Sequence, residues 1–277
     1  MANVELADAH GHLTMVFGDG SARGPARPAT PDELAELLSR ARDAGVTRIL
    51  VPGTCRGDLR LAVEIAEAHD GVYAAAGIHP HEAKDFDEDV DLRLFEELCA
   101  SEKLVAIGEI GLDYFYDHSP RDVQQRALTA QVVFAREHDL PVILHNRESE
   151  ADLLPILERE LPGTPDALRG VFHSFCADPE TGRRAIALGY LVSFSGMLTF
   201  RAAENVRAAA AALPLEAMLV ETDAPYLAPA PHRGKPNEPA YLVRTAAKLA
   251  EVKGVALELV ARKTNASFDR LFLRRTP

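Results

Sequence analysis

The chain has 277 residues, 47% apolar and 26% charged, with a formal net charge of −12; this is ample for a large core and lies outside the composition of disordered or fibrous chains. The acidic balance opposes non-specific adhesion to DNA or to an anionic membrane. That excludes a nucleic-acid coat protein but not a nuclease, because bound divalent cations reverse a local field whose carboxylates are counted in the total.

Short runs rich in Val, Ile, Leu and Ala alternate along the chain with longer segments whose apolar residues recur at helical spacing. The first run is VELAD from Val4, and it leads directly into DAHGHL at 8–13. If the extended form persists that far, a period of two sends His10 and His12 to the same side. Thr30-Pro31-Asp32-Glu33 has the marks of a helix start: a hydroxyl cap, Pro at the first helical position and acids in the first turn. RILVPG from Arg48 follows, then a helical stripe at Leu59, Ala62, Val63 and Ala66, then VYAAAG from Val72 and LVAIGE from Leu104. Ala127, Ala130, Gln131 and Phe134 form a second stripe, imperfect because of the glutamine. The remaining runs are PVILHN from Pro141, GVFHSF from Gly170, YLVSFSG from Tyr190 and, after the alanine-rich helix Ala208 to Ala212, AMLVETD from Ala217. APYLAPAPHRGKPNEP from Ala224 is the longest irregular stretch, and helical patterns around Tyr241 to Val252 and Leu257 to Phe272 close the chain.

Eight continuous apolar runs, each followed by a helix, indicate a parallel sheet covered on its outer face and closed into an α/β (β/α)8 TIM barrel. An open doubly wound sheet is the alternative. No Pro/Gly/Ser linker divides the sequence, so one domain over 1–277 is expected. No stretch approaches the roughly 18 uninterrupted apolar residues of a membrane span. The opening MANVELADAH lacks a basic start followed by an apolar run, so a cytoplasmic protein without membrane association is expected. Cys55, Cys99 and Cys176 are far apart and form no CxxC pair; they read as small buried apolar residues, not as a disulfide framework or zinc ribbon.

Catalytic groups of such barrels project from the C-terminal ends of the strands. The first run ends in His10 and His12, the third in His79-Pro80-His81, the fourth in Glu109, the fifth in His145, the sixth in His173 and the eighth in Asp223. Six of the ten histidines therefore fall at strand ends. Imidazole and carboxylate are the ligands of divalent cations that keep a position open for water or substrate. Four of these histidines with Glu109 and Asp223 suffice for two cations sharing a carboxylate, the pair spaced about 3.5–4 Å that phosphoester-cleaving enzymes use. In this reading Glu109 bridges, His10 and His12 hold one cation, and His145 and His173 hold the other. Asp223 binds a cation and takes a proton from the attacking water. The catalytic candidates are thus Asp223 and Glu109.

His79 is expected to contact substrate, since Pro80 turns the chain there. Arg147, two residues past His145, suits a guanidinium gripping a phosphate. Arg233, Lys235 and Asn237 lie in the loop over the barrel mouth as further candidates for substrate contact. The Asp113-Tyr114-Phe115-Tyr116 stretch offers aromatic faces either to a nucleobase or to packing at the rim. No GxSxG elbow, GxxxxGK[ST] loop or GxGxxG after a strand is present.

DAHGHL at 8–13, GIHPH at 77–81, GEIGLDY at 108–114, LPVILHNR at 140–147, FHSF at 172–175, and LVETDAPYLAP followed by RGKPNEP between 219 and 239 together resemble the TatD-type metal-dependent deoxyribonucleases of the amidohydrolase-like barrels. The resemblance runs essentially end to end. It implies a TIM-like barrel, two divalent cations (Mg, Mn or Zn) and ligands at His10, His12, Glu109, His145, His173 and Asp223. It also implies 3′–5′ exonuclease activity on DNA, single-stranded or at 3′ ends, in repair or degradation, and a monomer is expected. The family often has Cys where Gly11 and Ser174 stand, and the Gly/Pro-rich stretch Thr14 to Ala29 is longer than usual. Because a fold and its ligands are shared by hydrolases of different bonds, an ester or amide hydrolase such as an aminoacyl-tRNA deacylase or a lactonase is the alternative.

Overall fold

The computed structural model describes residues 4–17 and 26–273. In chain order its regular elements are β1 (Leu6–Asp8), β2 (Met15–Phe17), β3 (Ala26–Pro28), α1 (Pro31–Asp43), β4 (Val46–Pro52), α2 (Leu59–Ala68), β5 (Val72–Ala76), α3 (Glu88–Leu98), β6 (Leu104–Asp113), α4 (Arg121–Glu137), β7 (Val142–Arg147), α5 (Glu150–Glu160), β8 (Gly170–Phe172), α6 (Pro179–Ala187), β9 (Tyr190–Phe194), α7 (Glu204–Ala212), β10 (Met218–Val220), α8 (Leu242–Lys253) and α9 (Leu257–Phe268). Eight strands form one sheet in the order β1-β4-β5-β6-β7-β8-β9-β10, a nearly closed barrel with helices between its parallel strands. Each of the eight apolar runs in the sequence is one of these strands. They are continuous, not alternating, because both faces are covered: every residue of β6 is buried.

Contacts along the chain define two compact units. The first draws on the chain up to Val51, Ser174–Gly182 and Val192–Arg270. In it β1 pairs in parallel with β4, Asp8 opposite Ile49, and β10 with β9, Val220 opposite Phe194. The first and last strands also meet there. Ala9 N donates to Val220 O at 3.1 Å, Asp223 N to His10 O at 2.8 Å and His12 N to Ala224 O at 2.7 Å, with a bridge between Gly11 and Ala224. Backbone bonds at the closing seam thus bring the first histidine motif against the last acidic one.

The second unit draws on Pro52–His173, Arg183–Leu191 and the residues from Leu271. Its parallel ladder runs β5-β6-β7-β8, with Ala75 opposite Ala106, Gly111 opposite His145, and Leu144 opposite Phe172. β6 is longer than the run LVAIGE suggests, continuing past Glu109 to Asp113 opposite Arg147.

The expected helices hold in their details. Thr30 and Glu33 form a reciprocal capping box at the start of α1, and the predicted stripe of α2 is buried. The glutamine that spoils the stripe of α4 is buried for a reason: Gln131 Oε1 accepts from Ile78 N at 2.7 Å and its amide donates to Ile78 O at 3.2 Å. It satisfies the backbone immediately before His79, where an apolar side chain would orphan two polar groups.

Within Thr14 to Ala29, β2 and β3 form a short antiparallel pair, Met15 opposite Pro28, while residues 18–25 lie outside the described residues. One expectation needs amendment. The cysteines are partly exposed, not buried. No helix among the described residues is long and apolar enough to cross a membrane.

Two glycines separate conformational strain from crowding. Gly254 caps α8 at φ +66° with nothing near a prospective Cβ, whereas at Gly111, φ +148°, a Cβ would collide with the carbonyl oxygen of His145. Gly254→Ala is expected to cost about 1 kcal/mol through left-handed backbone alone, and Gly111→Ala distinctly more, because a paired strand has to move as well. Urea denaturation compares them; equal midpoints would remove Gly111 as a packing constraint.

Candidate metal centre

In the first unit, three side chains converge at the seam between β1 and β10. His10 Nε2 and His12 Nε2 are 3.2 Å apart, and Asp223 Oδ1 lies 3.8 Å from the first and 3.4 Å from the second. All three residues are buried. Asp223 adopts φ +56°, a left-handed conformation that Asp tolerates better than most side chains. Tyr226 N donates to Asp223 O at 2.7 Å to close the turn.

Asp8 holds this arrangement from behind. Its Oδ1 accepts from Thr222 N at 2.8 Å and His10 N at 3.3 Å, and its Oδ2 from Thr222 Oγ1 at 2.5 Å. One carboxyl group therefore ties together the residues that carry His10 and Asp223. Complete burial pushes its pKa up to about 7, against the opposing pull of those hydrogen bonds. Asn237 also braces backbone, since its amide donates to Thr222 O and Tyr226 O, both at 2.7 Å. It anchors the loop after β10 to backbone on both sides of Asp223. Arg233 lies over the Phe200 ring at 3.6 Å.

The second unit gathers its ligands around one oxygen. Glu109, on β6 and 3% exposed, presents Oε1 to His145 Nδ1 at 2.9 Å, His173 Nε2 at 3.0 Å and His79 Nε2 at 3.3 Å. His145 Nδ1 and His173 Nε2 are 3.5 Å apart. His79 also caps the short 3-10 turn Pro80–Asp85, accepting from His81 N at 3.1 Å through Nδ1. Burial lowers its pKa to about 4, more than the neighbouring Glu109 charge raises it. Expected to contact substrate, His79 thus sits within the same group of potential ligands as Glu109 and His145.

Asp113 is a site residue that the sequence pattern did not single out. Its Oδ2 accepts from His145 Nε2 and His81 Nε2, each at 3.0 Å, and its Oδ1 from Phe115 N at 3.1 Å and Tyr116 N at 2.9 Å. Burial works to raise its pKa, but the two imidazoles and the backbone donor outweigh this and hold the carboxyl well below the usual range. His145 is thereby clasped between two carboxylates. Burial would lower its pKa, yet the bonds to Asp113 and Glu109 prevail and raise it. The signal was present as Glu-x-Gly-x-Asp at 109–113: a four-residue separation keeps both acids on one face of a strand, and Gly111 between them admits the backbone of His145.

These donors fit divalent cations. Two nitrogens each about 2.1 Å from one ion and about 100° apart lie about 3.2 Å from each other, which matches His10 with His12 at 3.2 Å and nearly matches His145 with His173 at 3.5 Å. Imidazoles and carboxylates without thiolates suit zinc, manganese or magnesium. With His145 binding through Nδ1, its Nε2–H remains the donor to Asp113, an arrangement that fixes tautomer and ring orientation. Arg147, expected to face a phosphate, has its guanidinium over the rings of Phe115 at 4.1 Å and Tyr116 at 4.7 Å.

Comparison with known proteins agrees with this chemistry. The family model described as TatD related DNase matches residues 7–273. An uncharacterized metal-dependent hydrolase of Bacillus subtilis, YabD, is 38% identical over 267 residues, covering 96% of this chain and 98% of its own. A protein of Pantoea ananatis named as the 3′-5′ ssDNA/RNA exonuclease TatD is 36% identical over 243 residues, covering 86% and 92%. Among solved structures, the Escherichia coli TatD homologue YJJV superposes with a TM-score of 0.86 at 31% identity, covering 99% of this chain and 100% of that one.

Stripping divalent cations with EDTA is expected to lower Tm, and manganese or zinc to restore it, since an ion held about a hundredfold above its Kd stabilises the fold by about 2.7 kcal/mol. A Tm indifferent to chelation would count against the ligand assignment. Asp113→Ala is expected to weaken cation affinity about 10- to 100-fold in competition with a chelating dye, and unaltered affinity would make Asp113 merely a loop anchor.

Proposed function

From its membership in the TatD related DNase family, to which this chain belongs as a metal-dependent hydrolase, we propose that it is a deoxyribonuclease of the 3′–5′ exonuclease type using two divalent cations. The observation that carries the reading is the convergence of imidazoles on the Glu109 carboxylate, accompanied by a His10, His12 and Asp223 cluster at the barrel seam. The exonuclease named in Pantoea ananatis supports the choice of a phosphodiester over another hydrolysable bond.

In this proposal His10, His12 and Asp223 would hold one cation, and Glu109, His145 and His173 another. When bound, the cations supply Lewis acidity toward water and toward a phosphoryl oxygen. The protein's own groups do the rest. Asp223 accepts a proton of the attacking water at its carboxylate as the water oxygen bonds to phosphorus, and the bond from phosphorus to the 3′-oxygen of the remaining strand breaks, that oxygen leaving with a proton from solvent. Asp8 and Thr222 fix the backbone on either side of the Asp223 cluster, and Asp113 fixes the His145 ring, so the ligands are ordered before substrate arrives.

The test is digestion of 3′- and 5′-labelled single-stranded oligonucleotides by metal-stripped protein resupplied with magnesium, manganese or zinc. Stepwise shortening from the 3′ end is expected, and Asp223→Asn is expected to reduce the rate at least about 100-fold while cation binding at His145 and His173 survives. Intact DNA with all three metals would overturn the nuclease reading and direct attention to ester or amide substrates.

A further inference from the structure

Phe115 and Tyr116 are 51% and 50% exposed, the two most exposed large aromatic rings among the described residues. They lie two and three residues past Asp113 and are not loosely held, because the Asp113 carboxylate accepts both of their backbone N–H groups. The preceding Tyr114 is tied down instead, its hydroxyl donating to Asp152 at 2.7 Å and Arg121 lying over its ring at 4.4 Å. The next two rings are thus turned outward from an anchored backbone. They meet edge to face with centroids 4.9 Å apart. Arg147 covers part of both, and the exposed His118 ring stacks nearly parallel to Tyr116 at 5.5 Å.

We propose that Phe115 and Tyr116, flanked by Arg147 and His118, form a shelf on which an unpaired nucleobase stacks beside the Glu109 cluster. The inference rests on the nuclease reading and adds the substrate's bases to it. Two rings are far too small a surface for a stable protein interface, which takes about 800 Å² from each partner. They match one base, whose π-face stacks on an aromatic ring whatever its sequence. The guanidinium and imidazole beside them complement the phosphate that accompanies each base. A duplex hides its base faces, so the occupant is a single strand or a frayed end.

Overall charge gives the shelf its purpose. At a net charge of −12 the long-range field repels a polyanion, so affinity has to come from short-range contacts, and stacking is one that salt does not screen. Continuity with the ligands is direct: the carboxylate that fixes the two rings also receives His145 Nε2. A base seated there places its strand at the cluster through rigid backbone and not through a mobile loop.

The experiment measures fluorescence anisotropy of labelled dT10 and of a base-free spacer oligonucleotide of equal length, with wild type, F115A/Y116A and Phe115→Trp. Wild type is expected to bind dT10 about tenfold more tightly than the spacer strand. The double variant should weaken dT10 about tenfold, leave the spacer strand within about twofold, and lose the discrimination that Phe115→Trp keeps. Equal weakening of both strands, or of neither, would overturn the shelf. Parallel incubation of wild type with dT10 and metals separates the two ideas. Cleavage with no base discrimination defeats the shelf alone, and no cleavage defeats the nuclease reading on which it rests.

Discussion

A carboxylate taken out of water must be matched by charge or hydrogen bonds, because its desolvation is otherwise prohibitive. Glu109 is 3% exposed, and the second unit is arranged to satisfy it. Three strands and one turn contribute: β6 carries the acid, β7 and the end of β8 bring His145 and His173, and the turn after β5 brings His79. The parallel ladder sets the spacing, since each strand delivers one ligand to the same edge. A substitution that slips the register by one residue would turn the ligands away from that edge.

Each unit also holds a less visible acid. Asp113 and Asp8 each bind two elements that would otherwise move independently, one joining His145 and His81 to the aromatic rim, the other joining the β1 end to Thr222. Their environments push them in opposite directions: Asp113 is held ionised by the imidazoles around it, while Asp8, completely buried and met by hydroxyl and amide donors, has its pKa raised. Two carboxyl groups with the same chemistry thus have their pKa values moved in opposite directions by their surroundings.

Much of this was legible in the sequence because it is periodic. Eight apolar runs gave eight strands, and the position of a residue at the end of a run was enough to assemble His10, His12 and Asp223, and separately Glu109, His145 and His173. What escaped was whatever depends on a third dimension. Gln131 broke a hydrophobic stripe, and only the fold shows it bonded to Ile78. Asp113 read as part of an aromatic stretch because the strand carrying it was ended four residues early, at Glu109. The β2–β3 pair escaped because its strands are three residues each, one of them wholly exposed, and leave no apolar alternation. Arg147 was placed on the side of His145, but its stacking on Phe115 and Tyr116 depends on a turn that no periodicity describes.

The central claim is that the buried Glu109 carboxylate organises a cation site with His145 and His173. Titrating manganese into metal-stripped protein, with bound and free ion separated by electron paramagnetic resonance, tests it most directly when wild type is compared with Glu109→Gln. Manganese is expected to bind wild type, with the affinity of the site at His145 and His173 falling at least about tenfold in the variant, because an amide keeps the shape of the ligand but loses its charge. Manganese bound by Glu109→Gln with wild-type stoichiometry and affinity would contradict the account.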